Sequence, residues 1–120
     1  MGNTVVWVEL PAKDIARAAK FYGALFGATI EVNDDGVREI ATLPHEGVGV
    51  SLTQIDGFEP ADGGVFVYLD ASGKLEEMVA RVAPAGGTVV TERADLGGGA
   101  GFYTTIRDTE GNLIALYTGA

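Results

Sequence analysis

The sequence predicts an α+β fold: two tandem βαβββ repeats forming a cupped, eight-stranded mixed sheet, with one helix per repeat on the convex face. The first observation behind this is an internal repeat. Val6-Trp7-Val8-Glu9-Leu10 aligns with Val65-Phe66-Val67-Tyr68-Leu69, and in the same register Gly27-Ala28-Thr29-Ile30 falls on Gly86-Gly87-Thr88-Val89. Farther on, Ser51-Leu52-Thr53 matches Ile114-Ala115-Leu116-Tyr117 loosely once loop length is allowed for. Self-similarity of this kind marks two copies of one supersecondary unit. Repeat one is expected at about 3–55 and repeat two at about 63–118, inside a single domain covering 1–120. The second observation is that, within each copy, hydrophobic period two gives way to helical spacing and then to shorter strand-like runs. The third is the punctuation of those runs by Gly, Asp, Asn and Pro.

Taken in order, Val5 to Leu10 alternates, placing Val6, Val8 and Leu10 on one face and Val5, Trp7 and Glu9 on the other. A helix from Asp14 to Phe26 follows, with Ile15, Ala18, Ala19, Tyr22, Leu25 and Phe26 on its apolar stripe, Asp14 as N-cap and Gly27 as the stop. Strands are expected near Thr29–Val32, Val37–Leu43 and Val48–Gln54, and Ile55 to Gly64 links the repeats. In the second copy Val65, Val67 and Leu69 face inward, and Leu75, Met78, Val79 and Val82 form the helix stripe before Pro84-Ala85-Gly86-Gly87. Strands follow near Thr88–Glu92, Phe102–Arg107 and Leu113–Tyr117. The other sheet face then carries Trp7, Glu9, Ser51, Thr53, Phe66, Tyr68, Tyr103, Thr105, Ala115 and Tyr117. A curled sheet would make that face a pocket for a small ligand.

Composition narrows the chemistry. The 120 residues hold 8 Lys and Arg against 17 Asp and Glu, a formal charge of −9, with one His and no Cys. Thiolate catalysis, zinc ribbons and iron–sulfur clusters are excluded, and so is a multi-histidine metal cage. The acidic balance repels phosphate backbones and anionic lipid and attracts cations, so neither nucleic acid nor membrane is expected as a partner. The opening MGNTVVWVEL lacks a signal-peptide pattern, Val6 stands where myristoylation wants Ser or Thr, and no apolar run could span a bilayer, so a cytoplasmic setting is expected.

The segments VVWVELPAKDIARAAKFYGALFG and GFYTTIRDTEGNLIALYT, with VARVAPAGGTVV between them, resemble the vicinal oxygen chelate superfamily. It groups glyoxalase I, extradiol dioxygenases, fosfomycin-resistance enzymes and bleomycin-binding proteins, and the chain looks most like its small glyoxalase-like members. The resemblance implies the cupped fold, a homodimer, and in the metal-dependent members four ligands, one on each of four strands. Those positions fall here on Trp7, Ser51, Phe66 (or Gly64) and Ala115. An indole, a phenyl ring and a methyl group cannot coordinate, and a neutral serine hydroxyl alone holds no ion. The expectation is therefore no metal and no other cofactor.

A site shifted to Glu9 and Tyr68 would lack further donors. His45, in the turn Leu43-Pro44-His45-Glu46-Gly47, reads as a solvated residue. The run Leu96-Gly97-Gly98-Gly99-Ala100-Gly101 feeds a strand rather than a helix, so it reads as a flexible connection or lid, not a phosphate loop. Asp108-Thr109-Glu110-Gly111-Asn112 reads as a tight strand connection.

The leading expectation is a metal-independent binder of small cationic or aromatic molecules, its ligand against Trp7, Glu9, Ser51, Thr53, Phe66, Tyr68, Tyr103 and Tyr117. One alternative is a metal-free isomerase, epimerase or lyase with Glu9 as general base and Tyr68 or Tyr117 as polar partner. In that reading Glu9 is partly desolvated with a raised pKa; otherwise it is solvated or pairs with Arg38 or Arg107. A second alternative is an interaction module whose cup is filled by side chains.

Overall fold

The structure, a computed structural model, describes residues 4–61 and 63–119. The first repeat runs β1 (Trp7–Pro11), α1 (Ile15–Phe26), β2 (Val32–Asp34), β3 (Glu39–Thr42) and β4 (Gly49–Gln54). The second runs β5 (Tyr68–Asp70), α2 (Leu75–Val82), β6 (Thr88–Val89), β7 (Ala94–Asp95), β8 (Phe102–Arg107) and β9 (Leu113–Thr118). The fold is α+β, as the repeat implies.

The strands are divided between two mixed sheets. One has the order β1-β4-β3-β2, the other β5-β9-β8-β6 with β7 also on β8. In each, the leading strand pairs in parallel with the last strand of its own repeat, Trp7 opposite Gly49 and Tyr68 opposite Ala115, and the remaining pairs are antiparallel. Among the described residues no strand of one sheet contacts a strand of the other. The expected continuous eight-stranded cup is therefore two half-sheets, because β1 and β5 each keep one edge unpaired.

The ninth strand comes from a bulge. The amides of Val90 and Thr91 both donate to the Thr105 carbonyl, and Thr91 Oγ1 accepts from the Thr105 amide. Two residues facing one break the expected Thr88–Glu92 strand, and pairing resumes at Ala94.

Each helix covers one face of its own sheet, α1 on β3 and β4, α2 on β8 and β9. Helix α1 begins at Asp14, whose Oδ1 accepts from the Arg17 amide at 3.1 Å, while Gln54 Oε1 accepts from the Ile15 amide at 2.8 Å. It ends at Gly27 (φ 66°), the left-handed conformation that glycine adopts without a Cβ penalty. The stripe Ile15, Ala18, Ala19, Tyr22 and Leu25 is buried as expected, and Phe26 is half-buried. Phe21, outside that stripe, is buried too, because α1 packs against the second repeat: a Cβ on Gly87 would lie 2.7 Å from the Phe21 ring. The two repeats thus share one core, in which Leu25, Leu52, Val82, Ile106, Ile114 and Leu116 are fully buried. Burying each such side chain contributes about 1.5–3 kcal/mol.

The connection between β8 and β9 is more than a tight turn. Asp108 is 5% exposed, and its carboxylate accepts from Tyr22 Oη (2.6 Å), from Asn112 Nδ2 (2.9 Å), and from the backbone amides of Glu110 and Asn112. Asn112 Nδ2 also donates to the Pro11 carbonyl at 2.8 Å. Glu110, 3% exposed, accepts from the amides of Lys13 and Asp14 at 2.8 Å and from the Arg17 guanidinium at 2.8 and 3.0 Å. One turn of repeat two therefore completes the start of α1 in repeat one, and no buried side-chain polar atom among the described residues lacks a partner.

The start of each leading strand departs from expectation. Leu10 and Leu69 are buried and Val8 and Val67 half-buried, but Val6 and Val65 are 77% and 87% exposed. The strand ladders begin at Trp7 and at Tyr68; the Val67 carbonyl still accepts from the Ala115 amide at 2.9 Å, but neither Val6 nor Val65 is paired with a strand residue.

Candidate functional site

On the first sheet, Trp7, Glu9, Ile40, Thr42 and Ser51, with Arg38, line an open hollow of about 520 Å³. Strand alternation aims these residues away from α1, as the sequence implies. The indole Nε1 of Trp7 donates to Ser51 Oγ at 3.1 Å, so two of the four positions aligned with metal ligands satisfy each other. Glu9 Oε1 accepts from Arg38 Nη1 at 2.6 Å and from Thr53 Oγ1 at 3.0 Å, and Arg38 Nε reaches Asp35 at 3.3 Å. Of the alternatives for Glu9, pairing with Arg38 is the one found; Arg107 Nη1 donates instead to the Gly111 carbonyl. Ser51 and Thr53 are each 1% exposed, whereas Trp7 and Glu9 are exposed.

His45, expected as a solvated turn residue, packs its ring edge-on to Trp7 with centroids 5.0 Å apart, although it stays exposed; its Nδ1 lies 3.1 Å from the Gly47 carbonyl. No periodicity announces a residue in a turn; in the structure Gly49, paired opposite Trp7, leaves room for both rings. A Cβ there would lie 2.7 Å from the indole and 2.9 Å from the imidazole. Gly49→Ala should displace both rings and cost about 1–3 kcal/mol of stability. The emission of Trp7, the only tryptophan, reads this directly: an unchanged spectrum would mean that the rings do not depend on Gly49.

On the second sheet the face is aromatic. Phe66 and Tyr68 have ring centroids 5.1 Å apart at 79°, and Tyr68 and Tyr103 are 5.9 Å apart at 66°. Between them, on β9, the fully buried Ala115 is paired with Tyr68 on one side and with Thr105 on the other, while Tyr103 is paired with Tyr117. Tyr117, expected in the same cluster, directs its hydroxyl to the Ala100 carbonyl at 2.7 Å. It tethers the glycine loop, where Gly97, Gly98, Gly99 and Gly101 all have positive φ.

The eight residues expected to bind ligand thus fall into two groups, Trp7, Glu9, Ser51 and Thr53 on the first sheet, and Tyr68, Tyr103 and Tyr117 on the second with Phe66 just ahead of β5. The residues at the ligand-equivalent positions do not fit a metal ion, and among the described residues no three His, Cys, Asp or Glu side chains converge as an ion would require. A larger, polar hollow of about 720 Å³ lies beyond Arg38, between Lys13, Asp34, Glu39, Gln54, Asp56 and Glu59. Among the described residues no helix is long and apolar enough to cross a membrane.

Two βαβββ units joined through one core, with open sheet faces opposite the helices, define the class of paired-βαβββ domains. The family model described as Glyoxalase/Bleomycin resistance protein/Dioxygenase superfamily matches residues 4–116, and the chain belongs to that superfamily. It is 30% identical over 119 residues to the Mycobacterium bovis protein named "Putative glyoxylase CFP32", a match covering 96% of this chain and 45% of that protein. The chain thus spans about half the length of that curated relative. A "Glyoxylase-like domain-containing protein" of Didymella fabae is 29% identical, with 92% of this chain and 90% of that one covered. Among solved structures, a glyoxalase/bleomycin resistance protein from Albidiferax ferrireducens T118 superposes with a TM-score of 0.78 at 19% identity, covering 98% of this chain and all of the other, which shows the shared fold.

Proposed function

We propose that the chain is a metal-independent small-molecule-binding member of its superfamily, acting in the cytoplasm as a homodimer in which the first sheet of one copy closes over the second sheet of the other. The observation that carries this reading is that the two groups do not meet within one chain, while each lies beside an unpaired strand edge. The repeat register makes Val6 equivalent to Val65, Trp7 to Phe66 and Glu9 to Tyr68, and all six are exposed. A two-fold axis brings residue i against j and j against i, so one β1–β5 contact implies its twin and produces two identical cups.

Light scattering at micromolar concentration is expected to give twice the 12.4 kDa chain mass, and the double variant Val6→Glu/Val65→Glu is expected to be monomeric. A thermal-shift screen of small aromatic and cationic compounds should find ligands that raise the midpoint, by mass action on the native state. Zn²⁺, Mn²⁺, Ni²⁺ and Fe²⁺ should not. A monomeric wild type would remove the shared cup, and strong stabilisation by one of these ions would return the chain to the metal-dependent members. A second reading, a metal-free isomerase, epimerase or lyase, draws on Glu9 beside the hollow with Arg38 and Thr53 in contact.

A further inference from the structure

We infer that Phe66, Tyr68 and Tyr103 form an aromatic box that takes an alkylammonium group, so that the ligand is an organic cation bearing a methylated or quaternary nitrogen. This rests on the binding reading above and narrows its ligand class. Ring orientation decides against a planar aromatic ligand. A flat guest stacks best in a slot between near-parallel rings, whereas these rings stand at 79° and 66° to their neighbours. Steeply inclined rings make walls, and walls suit a roughly spherical cation, which is drawn to the negative faces of several rings at once.

Three further observations favour the cation. The rings are accessible, Phe66 being 38% and Tyr68 47% exposed and Tyr103 partly so. Ala115, paired with Tyr68, brings no polar side chain, and Thr105 beyond it is buried. The chain carries a net charge of −9, which raises the local concentration of cations. On the strands of this sheet the one basic side chain on the same face is Arg107, four residues along β8 from Tyr103, with Nη1 directed to the Gly111 carbonyl. Arg93 already lies over the Phe102 ring, 4.0 Å from its centroid, so the sheet's other side holds a cation on an aromatic face.

The test titrates the intact protein with choline, tetramethylammonium and the uncharged choline isostere 3,3-dimethyl-1-butanol, followed by calorimetry and by the N-methyl proton resonance. The two cations are expected to bind with an upfield methyl shift, and the isostere to bind about tenfold more weakly, the size of a partly desolvated cation–π contact. Tyr68→Leu and Tyr103→Leu, each checked for an unchanged circular dichroism spectrum, are expected to weaken choline about tenfold and to abolish the methyl shift. Equal affinity for choline and its isostere, or choline binding untouched by both substitutions, would overturn the box. Absence of cation binding while a planar neutral aromatic such as 2-naphthol binds would also overturn it and leave the broader binding reading standing. Absence of binding by every compound would remove both.

Discussion

Asp108→Ala is expected to lower the unfolding free energy by about 3–5 kcal/mol, a large part of the 5–15 kcal/mol typical of a domain. The buried carboxylate accepts four hydrogen bonds, from Tyr22, from the Asn112 side chain and from two backbone amides. Removing it strands those donors where water does not replace the acceptor, and an unmade buried bond costs more than a made one contributes. Burial, and then the neighbouring Asp108, push the Tyr22 phenol well above its ordinary value of 10.0, so it remains a proton donor through the neutral range. Tyr22→Phe is the milder companion. It deletes one donor and leaves Asp108 three, at about 1–2 kcal/mol. Urea unfolding checks both: a change below about 1 kcal/mol for Asp108→Ala would mean that the turn does not clamp the repeats together.

Glu110→Gln should give a stability loss that depends on pH. Burial pushes the Glu110 carboxyl upward, but hydrogen bonds from Arg17, the Asp14 amide and Thr109 outweigh it, and the group lies below its ordinary 4.5 in the folded protein. A carboxyl lowered on folding contributes stability that is fully present above the unfolded value and lost as pH falls through the folded one. Wild type should therefore exceed Glu110→Gln by about 1–3 kcal/mol at pH 7, and the gap should close as the pH falls from about 5 toward 3. Arg17, about half exposed, is held charged throughout, so the window belongs to the carboxylate. Asp35 and Asp70, also lowered by their hydrogen bonds, act alike in both proteins and cancel from the difference. Denaturation curves at four or five pH values suffice; a gap that stays constant across them would show that the charge of Glu110 is not what stabilises the start of α1.

Both predictions concern a turn that the sequence presents as a mere connection. Its residues are the usual turn formers, and nothing in their order shows that Tyr22, Pro11 and Arg17 wait for them on the other repeat. The same gap explains Phe21, which local periodicity places off the buried stripe, and His45, which no pattern places beside Trp7. Contacts between residues far apart in sequence leave no periodic trace, so they are legible only after folding has brought the elements together. Glu9 is intermediate: its face was readable from alternation and Arg38 was among the candidate partners, but the choice between partners waited on the path of β3.

The sequence by itself determined the duplication, the α+β class, the cap and stop of α1, the faces that Trp7, Glu9, Tyr68 and Tyr103 occupy, and the non-coordinating side chains at Trp7, Phe66 and Ala115. These follow from short-range stereochemistry and side-chain identity, which a linear string carries in full. Only the tertiary structure decided that the strands split between two sheets with free edges at β1 and β5, that one turn of the second repeat completes the first helix, and that the rings of Phe66, Tyr68 and Tyr103 stand at steep angles to their neighbours. Such outcomes depend on which surfaces find each other in space, and many arrangements of the same elements satisfy the same local rules.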